Sequence, residues 1–229
     1  MGMEVNQRPE EPQKQPGFKQ FLEQVVQEYK REKTERLTKP VVKGLHSGQI
    51  ALSQWQAQDA ERNENFGLAK EHYQSLLPLQ KPGKERAETY LAMGRCEHGR
   101  KFEGVARIHY EQALDEIAND KSLSESERHR LNATCYSGLA GTYGPNAPGE
   151  APLSPDNLKR QEYLGKAVAE LDKVKFDGSQ TKQQVTDAWK IYDEYIKLQQ
   201  LMQPFQSEGP KVDLDKMKER CAMILRSNQ

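Results

Sequence analysis

The feature that most constrains the fold is a sequence pattern that recurs after 37 residues. The segment Ala69-Lys-Glu-His-Tyr73 aligns with Ala106-Arg-Ile-His-Tyr110, and an apolar pair follows each segment. A period in this range is typical of proteins built from stacked helical hairpins. Each hairpin leaves one apolar face open, and stacking on a neighbouring hairpin covers it. The chain is therefore predicted to fold as a series of stacked hairpins.

The stretch from residue 90 to residue 114 gives the clearest hairpin. One helix is predicted from residue 84 to about residue 98, a tight turn follows at Gly99-Arg100-Lys101, and a second helix begins near residue 102. Small residues such as Gly94 and Ala106 allow two helices to approach closely. Aromatic side chains then fill the space around such a contact. We therefore expect this stretch to form two helices packed against each other.

These residues resemble the tetratricopeptide-repeat family. Its signature has an aromatic residue, then Leu-Gly, then a second aromatic residue in the first helix, and an alanine followed by an aromatic residue in the second. The best copy fits it with the residues Tyr90, Met93, Gly94, Ala106 and Tyr110, and the first helix of a further copy fits with Tyr136, Leu139, Ala140 and Tyr143. The departures from the signature are Glu97 in place of an aromatic residue, Phe102 one residue out of register, and Ser53 with Gln56 in the first copy.

The resemblance and the helical periodicity together predict an all-α fold of about nine helices in a right-handed, antiparallel helix-hairpin repeat. Residues 1–16 are predicted to be a disordered tail, and residues 17–46 a capping helix and linker. Residues 47–175 are predicted to be hairpins over 47–82, 83–120 and 124–175, the last carrying a Pro-rich loop at 144–155. Residues 176–229 are predicted to form a C-terminal helical hairpin that caps the array.

The amino-acid composition of the chain limits which functions and which cellular location are expected. The chain has 229 residues, with 34 Lys and Arg against 34 Asp and Glu, so it carries no global field that would attract nucleic acid or an anionic membrane. Residues 30–43 are locally basic, and we interpret them as a solvated helix end with cations near its negative dipole. Three widely separated cysteines and the lack of a signal sequence or a long apolar run predict a cytoplasmic protein.

Neither a catalytic constellation nor a metal or cofactor site is expected. Cys96 and His98 are two residues apart, so on a helix they diverge by about 200° and cannot face one ion. His72 and His109 occupy equivalent repeat positions beside tyrosines, which favours packing or hydrogen bonding. Gly138 to Gly144 lacks the preceding strand and the Gly-Lys-Ser/Thr ending of a phosphate loop.

The resemblance implies a function. In that family the first helices of successive hairpins line a concave groove that holds an extended peptide or a helix of a partner protein. The corresponding positions in this chain are Gln54, Gln58, Arg62, Leu91, Arg95, His98, Ser137 and Gly141. We therefore expect a non-enzymatic scaffold or adaptor for protein–protein interaction. The alternatives are an RNA-binding helical repeat, or an enzyme with a site assembled from distant residues and the 144–155 loop as a lid.

Overall fold

The computed structural model describes residues 47–144, 151–176, 180–205 and 213–226. It divides the chain into two units, Met1–Gln49 and Ile50–Gln229, and the elements below belong to the second unit apart from residues 47–49. The predicted N-terminal tail, the predicted capping helix and the basic residues 30–43 lie outside the described ranges, as do residues 145–150 of the Pro-rich loop.

Eight α-helices and two short 3-10 turns make up the regular structure of the described residues, which contain no strand. The predicted all-α class is confirmed. The other predicted helix, the capping helix within residues 17–46, lies outside the described residues. The helices are α1 over residues 47–62, α2 Phe66–Leu76, α3 Lys84–Gly99, α4 Glu103–Asn119, α5 Glu125–Gly141, α6 Pro155–Leu171, α7 Lys182–Met202 and α8 Leu214–Arg226.

Side chains just before the helices explain where several of them begin. The hydroxyl of Ser124 accepts a hydrogen bond from the backbone N–H of Glu127, as the capping-box pattern predicts. Ser154 caps α6 in the same way, with its hydroxyl accepting from the backbone N–H of Asn157. Thr181 and Gln184 form a reciprocal capping box at α7. Such caps satisfy backbone donors that the first helical turn leaves without partners.

The helices pack as sequential antiparallel pairs, α1 with α2, α3 with α4, α5 with α6, and α7 with α8. Apolar side chains are buried both within a pair and between neighbouring pairs. The cluster around α3, α4 and α5, for example, consists of Ala87, Leu91, Ala106, Tyr110, Ala113, Ile117, Leu123, Leu131, Cys135 and Leu139. Burial of this kind is the main favourable contribution to the stability of such an array.

The ring of Tyr110 joins the second pair to the third. A Cβ atom built on Gly94 of α3 would lie 2.6 Å from this ring, and one built on Gly138 of α5 would lie 2.5 Å from it. Both distances are far shorter than a normal carbon–carbon contact. The absence of a side chain at these two positions therefore lets the Tyr110 ring lie against α3 and α5 together. The sequence predicted the close approach at Gly94 but not the one at Gly138.

A buried carboxylate explains why Glu97 replaces the aromatic residue of the repeat signature. The Glu97 side chain is 2% exposed, and its oxygens lie 2.9 Å from Lys70 Nζ and 3.0 Å from Arg100 Nη1. Lys70 belongs to α2 and Arg100 follows α3, so the carboxylate links the first two pairs. Arg100 also lies over the ring of Phe102. A buried charge is tolerated because it has such partners.

The apolar side of α1 only partly follows its hydrophobic pattern. The pattern places Ile50, Leu52, Trp55 and Ala60 at apolar positions, yet Leu52 and Trp55 are 56% and 59% exposed. The residues of α1 that pack against α2 and α3 are Ala57 and Ala60, with Ile50 partly buried beside them, so the predicted positions Ile50 and Ala60 are confirmed. Hydrophobicity gave the larger residues too much weight, because it does not indicate which side of α1 the neighbouring helices cover.

Candidate functional site

The eight residues predicted to bind a partner lie on α1, α3 and α5, the first helices of the first three pairs. Gln54, Gln58 and Arg62 are exposed on α1. Ser137 and Gly141, four residues apart on α5, are partly exposed. We call the surface formed by the exposed residues of these three helices the α1–α3–α5 face.

Leu91 is the exception among the predicted residues. Its side chain is 4% exposed and packs in the core cluster of α3, α4 and α5. The expectation that Leu91 points outward is therefore wrong. The helix turns by about 100° per residue, and α5 approaches α3 closely enough to cover this position. A partner can contact Leu91 only if α3 and α5 separate.

Arg95 is the best-defined polar group of the α1–α3–α5 face. Its Nε donates to Glu61 Oε1 at 2.7 Å, and its Nη2 donates to Glu61 Oε2 at 3.2 Å. The hydroxyl of Tyr73 donates to the same Oε2 atom at 2.8 Å. Burial, followed by this hydrogen bond, raises the pKa of Tyr73. Three helices thus fix the guanidinium group, while the Arg95 side chain remains 51% exposed.

His98 lies one helical turn beyond Arg95, on the side of α3 that faces α5. Its Nδ1 is 2.6 Å from Glu103 Oε2, and the imidazole side chain is 40% exposed. Its Nε2 lies 3.9 Å from the position that a Cβ atom on Gly141 would occupy. The glycine therefore leaves open space beside the Nε2 atom. Arg95 is held toward α1 and His98 lies beside α5. The two side chains therefore lie on opposite sides of the exposed surface of α3.

Sequence reasoning missed the two carboxylates that orient these side chains. Glu61 is next to the predicted Arg62 but points toward α3, and Glu103 lies five residues after His98, across the turn between α3 and α4. Neither spacing follows the rule of three or four residues that identifies pairs on one helix. Only the arrangement of different helices brings these groups together.

A chain of cations and tyrosines connects α4, α5 and α6. The rings of Tyr143 and Tyr163 stack with centroids 5.8 Å apart. Arg107 lies over the Tyr143 ring and Lys166 over the Tyr163 ring, both at 5.0 Å from the centroid. Lys166 also binds Glu162, and hydrogen bonds from Lys159 and Lys166 lower the pKa of Glu162 to about 2. Each ring is thus already engaged by the other ring and by a cation.

Three histidines of the described helices, His98, His109 and His129, have structural partners. His109 stacks on Tyr90 and hydrogen-bonds to Gln112 through Nδ1. His129 pairs with Glu170 at 2.7 Å, joining α5 to α6. In the part of the chain that the structure describes, no group of three or more His, Cys, Asp or Glu side chains is arranged to hold a metal ion. None of the helices described there is long and apolar enough to cross a membrane.

An open pocket of about 630 Å³ lies beside α8 and contains none of the predicted site residues. Several of its polar groups have structural partners. The Tyr192 hydroxyl donates to Asp172 at 2.5 Å, and Arg220 donates to the carbonyl oxygen of Val174. Asp213 accepts a hydrogen bond from the backbone of Lys216 in the first turn of α8. The Arg220 bond fastens α8 to the segment after α6, and the other two bonds occupy polar groups of the lining, so the pocket is a weaker candidate than the α1–α3–α5 face.

The two cysteines whose side chains are described, Cys96 and Cys135, are free and buried. Burial raises the pKa of Cys96 to about 12 and also raises that of Cys135. Because the thiolate is the reactive form, iodoacetamide at pH 8 should alkylate both at least about 100-fold more slowly in the native chain than in urea. Mass spectrometry of the tryptic peptides measures these rates. Equal rates in the two states would show that the thiols are accessible.

No family model, curated protein or solved structure matches this chain. The class that the fold defines is an all-α protein of sequential antiparallel helix pairs. The resemblance to tetratricopeptide repeats stays a prediction from the sequence.

Proposed function

We propose that this chain is a non-enzymatic, cytoplasmic scaffold or adaptor that binds a peptide or a helix of a partner protein. The binding surface is the α1–α3–α5 face, which would be the concave side of a right-handed superhelix of the tetratricopeptide-repeat type. The observation that carries the proposal is the fixed, half-exposed guanidinium of Arg95, held by Glu61 and Tyr73.

The preorganisation of Arg95 favours a binding role. A free arginine loses rotamer entropy when it binds a partner, and each such side chain that becomes ordered costs about 0.5–1.5 kcal/mol. Two hydrogen bonds to Glu61 already hold Arg95, so much of this cost is met on folding. Within the described residues, the Nη1 atom makes no hydrogen bond, and it is therefore available to an external acceptor.

The RNA-binding alternative has less support. Proteins that bind single-stranded nucleic acid combine positive grooves with aromatic rings on which bases stack. In this chain the formal net charge is zero, and the stacked tyrosines Tyr143 and Tyr163 are engaged by each other and by cations. A filter-binding measurement with single-stranded RNA at low salt tests this alternative directly.

Selection from a phage-displayed library of random dodecapeptides tests the proposal. The full chain should enrich specific peptides, and the variant Gly141→Leu should bind them at least about tenfold more weakly because a leucine would fill the space beside His98. The added Cβ meets His98 at an ordinary contact distance, so the fold should be retained. Binding is measured by fluorescence anisotropy and folding by circular dichroism.

Gly104→Leu is the matched control. Gly104 also lies in a helix, and a Cβ atom there meets nothing within 4 Å, but the residue belongs to α4 and lies outside the α1–α3–α5 face. This variant should bind the selected peptides as the wild type does. If no peptide is enriched, or if Gly141→Leu and Gly104→Leu bind equally well, the α1–α3–α5 face is not the binding surface.

A further inference from the structure

We infer that the α1–α3–α5 face recognises main-chain amide groups of an extended, uncharged peptide segment rather than a carboxylate. This inference rests on the proposed function and specifies the chemistry of its partner. It follows from the charges, the hydrogen-bonding atoms and the free space around Arg95 and His98.

Arg95 and His98 each lie beside a carboxylate. Arg95 lies 2.7 Å from Glu61, and the His98 ring lies 2.6 Å from Glu103. A carboxylate that approached either basic group would therefore also approach an acidic side chain already bound to it. Mutual repulsion between the two carboxylates offsets the attraction to the base. The pair formed by Arg95 and Glu61 has little net charge, but its guanidinium group still offers N–H donors. Such donors suit a neutral acceptor such as a peptide carbonyl oxygen.

The exposed atoms complement both halves of a peptide group. The Nη1 atom of Arg95 is a hydrogen-bond donor that makes no bond within the described residues. Glu103 can only accept from Nδ1–H of His98, and the imidazole tautomer that carries its single proton on Nδ1 has Nε2 as an acceptor. Arg95 and His98 are three positions apart on α3, with Arg95 directed toward α1 and His98 toward α5, so a chain that crosses α3 would meet the donor and the acceptor in turn. An extended chain offers carbonyl oxygens and N–H groups at a repeat of about 3.3 Å per residue.

The space beside His98 fits a main chain. Gly141 has no side chain, and a Cβ atom there would already lie 3.9 Å from Nε2. Without it, a flat peptide group can approach the imidazole edge. Arg62, a further cation of the α1–α3–α5 face, is exposed on the last turn of α1. Water and salt screen such an exposed charge.

Ester substitution in a selected dodecapeptide tests the inference. Each peptide variant replaces one main-chain amide with an ester, which removes the N–H and weakens the carbonyl acceptor. For at least one position, the ester should raise the Kd for the wild-type chain about five- to tenfold. The same ester should change the Kd of the variant Arg95→Gln less than about twofold, because the donor is already lost. Lys197→Gln, on α7 and outside the α1–α3–α5 face, is the control and should keep the full effect.

Two further results separate this inference from the proposed function. Replacing every Asp and Glu of the peptide with Asn and Gln, and amidating its C-terminus, should change the Kd less than about twofold. If peptides bind in an Arg95-dependent manner but need an acidic group, the inference is overturned and the proposed function stands. If esters have no effect at any position, main-chain recognition is also overturned. If no peptide binds, the proposed function itself fails.

Discussion

Gly138→Leu is expected to lower the midpoint of thermal unfolding by about 6–12 °C. A Cβ atom at this position would lie 2.5 Å from the ring of Tyr110, which cannot move away because Gly94 confines it on the other helix. Overpacking of this kind costs about 1–3 kcal/mol and occasionally more, and we expect about 3 kcal/mol because the ring is confined. For a chain of this size, each kcal/mol lowers the midpoint by about 2–4 °C. Thermal melts followed by circular dichroism measure the change.

Gly141→Leu provides the comparison within the same helix. The two glycines are three residues apart on α5, but Gly141 has open space where Gly138 has the tyrosine ring. Gly141→Leu should therefore leave the midpoint within about 2 °C of the wild type. Similar midpoints for the two variants would mean that Tyr110 does not lie against α5.

Glu97→Ala is expected to destabilise the chain by about 3 kcal/mol. The substitution removes both ion pairs of a carboxylate that is 2% exposed, and it leaves Lys70 and Arg100 facing each other without their shared counterion. Breaking a buried pair by removing one partner typically costs about 3–5 kcal/mol. We expect the lower end because both cations are partly exposed and can regain water. Urea unfolding at constant pH measures the change.

Asp193→Ala is the control for Glu97→Ala. Asp193 pairs with Lys197 at 2.6 Å on the surface of α7, and the lysine is largely exposed. Exposed pairs contribute about 0–1 kcal/mol, so this variant should differ little from the wild type. A loss of stability at Glu97 no larger than that at Asp193 would show that the buried carboxylate does not link the first two helix pairs.

The helices could be predicted from the sequence because their signals are local. Periodic apolar residues, the caps at Ser124 and Ser154, and the small residue at Gly94 each depend on neighbours a few positions away. The pairing of neighbouring helices followed from the repeat and the short turns. These signals were sufficient for the all-α class and for most helix boundaries.

The surface properties depend on contacts between different helices and were harder to predict. Leu91 was assigned to the binding surface, but α5 covers it. The hydrophobic pattern of α1 includes Trp55, but Ala57 and Ala60 are the buried residues of that helix and Trp55 is exposed. The roles of Glu61 and Glu103 also depend on side chains from other helices. Helical periodicity identifies an apolar stripe, but not which neighbour covers each position.

The position of Tyr110 has a consequence for the order of folding. Most packing in this chain joins helices that are consecutive in sequence, so the contacts close short loops, which favours rapid folding. Helix pairs can then form as the chain emerges from the ribosome, beginning with the N-terminal pairs. The second pair, however, supplies Tyr110 with only one of its two glycine partners, and α5 supplies the other. The second pair therefore reaches its final packing only after the first helix of the third pair has been synthesised.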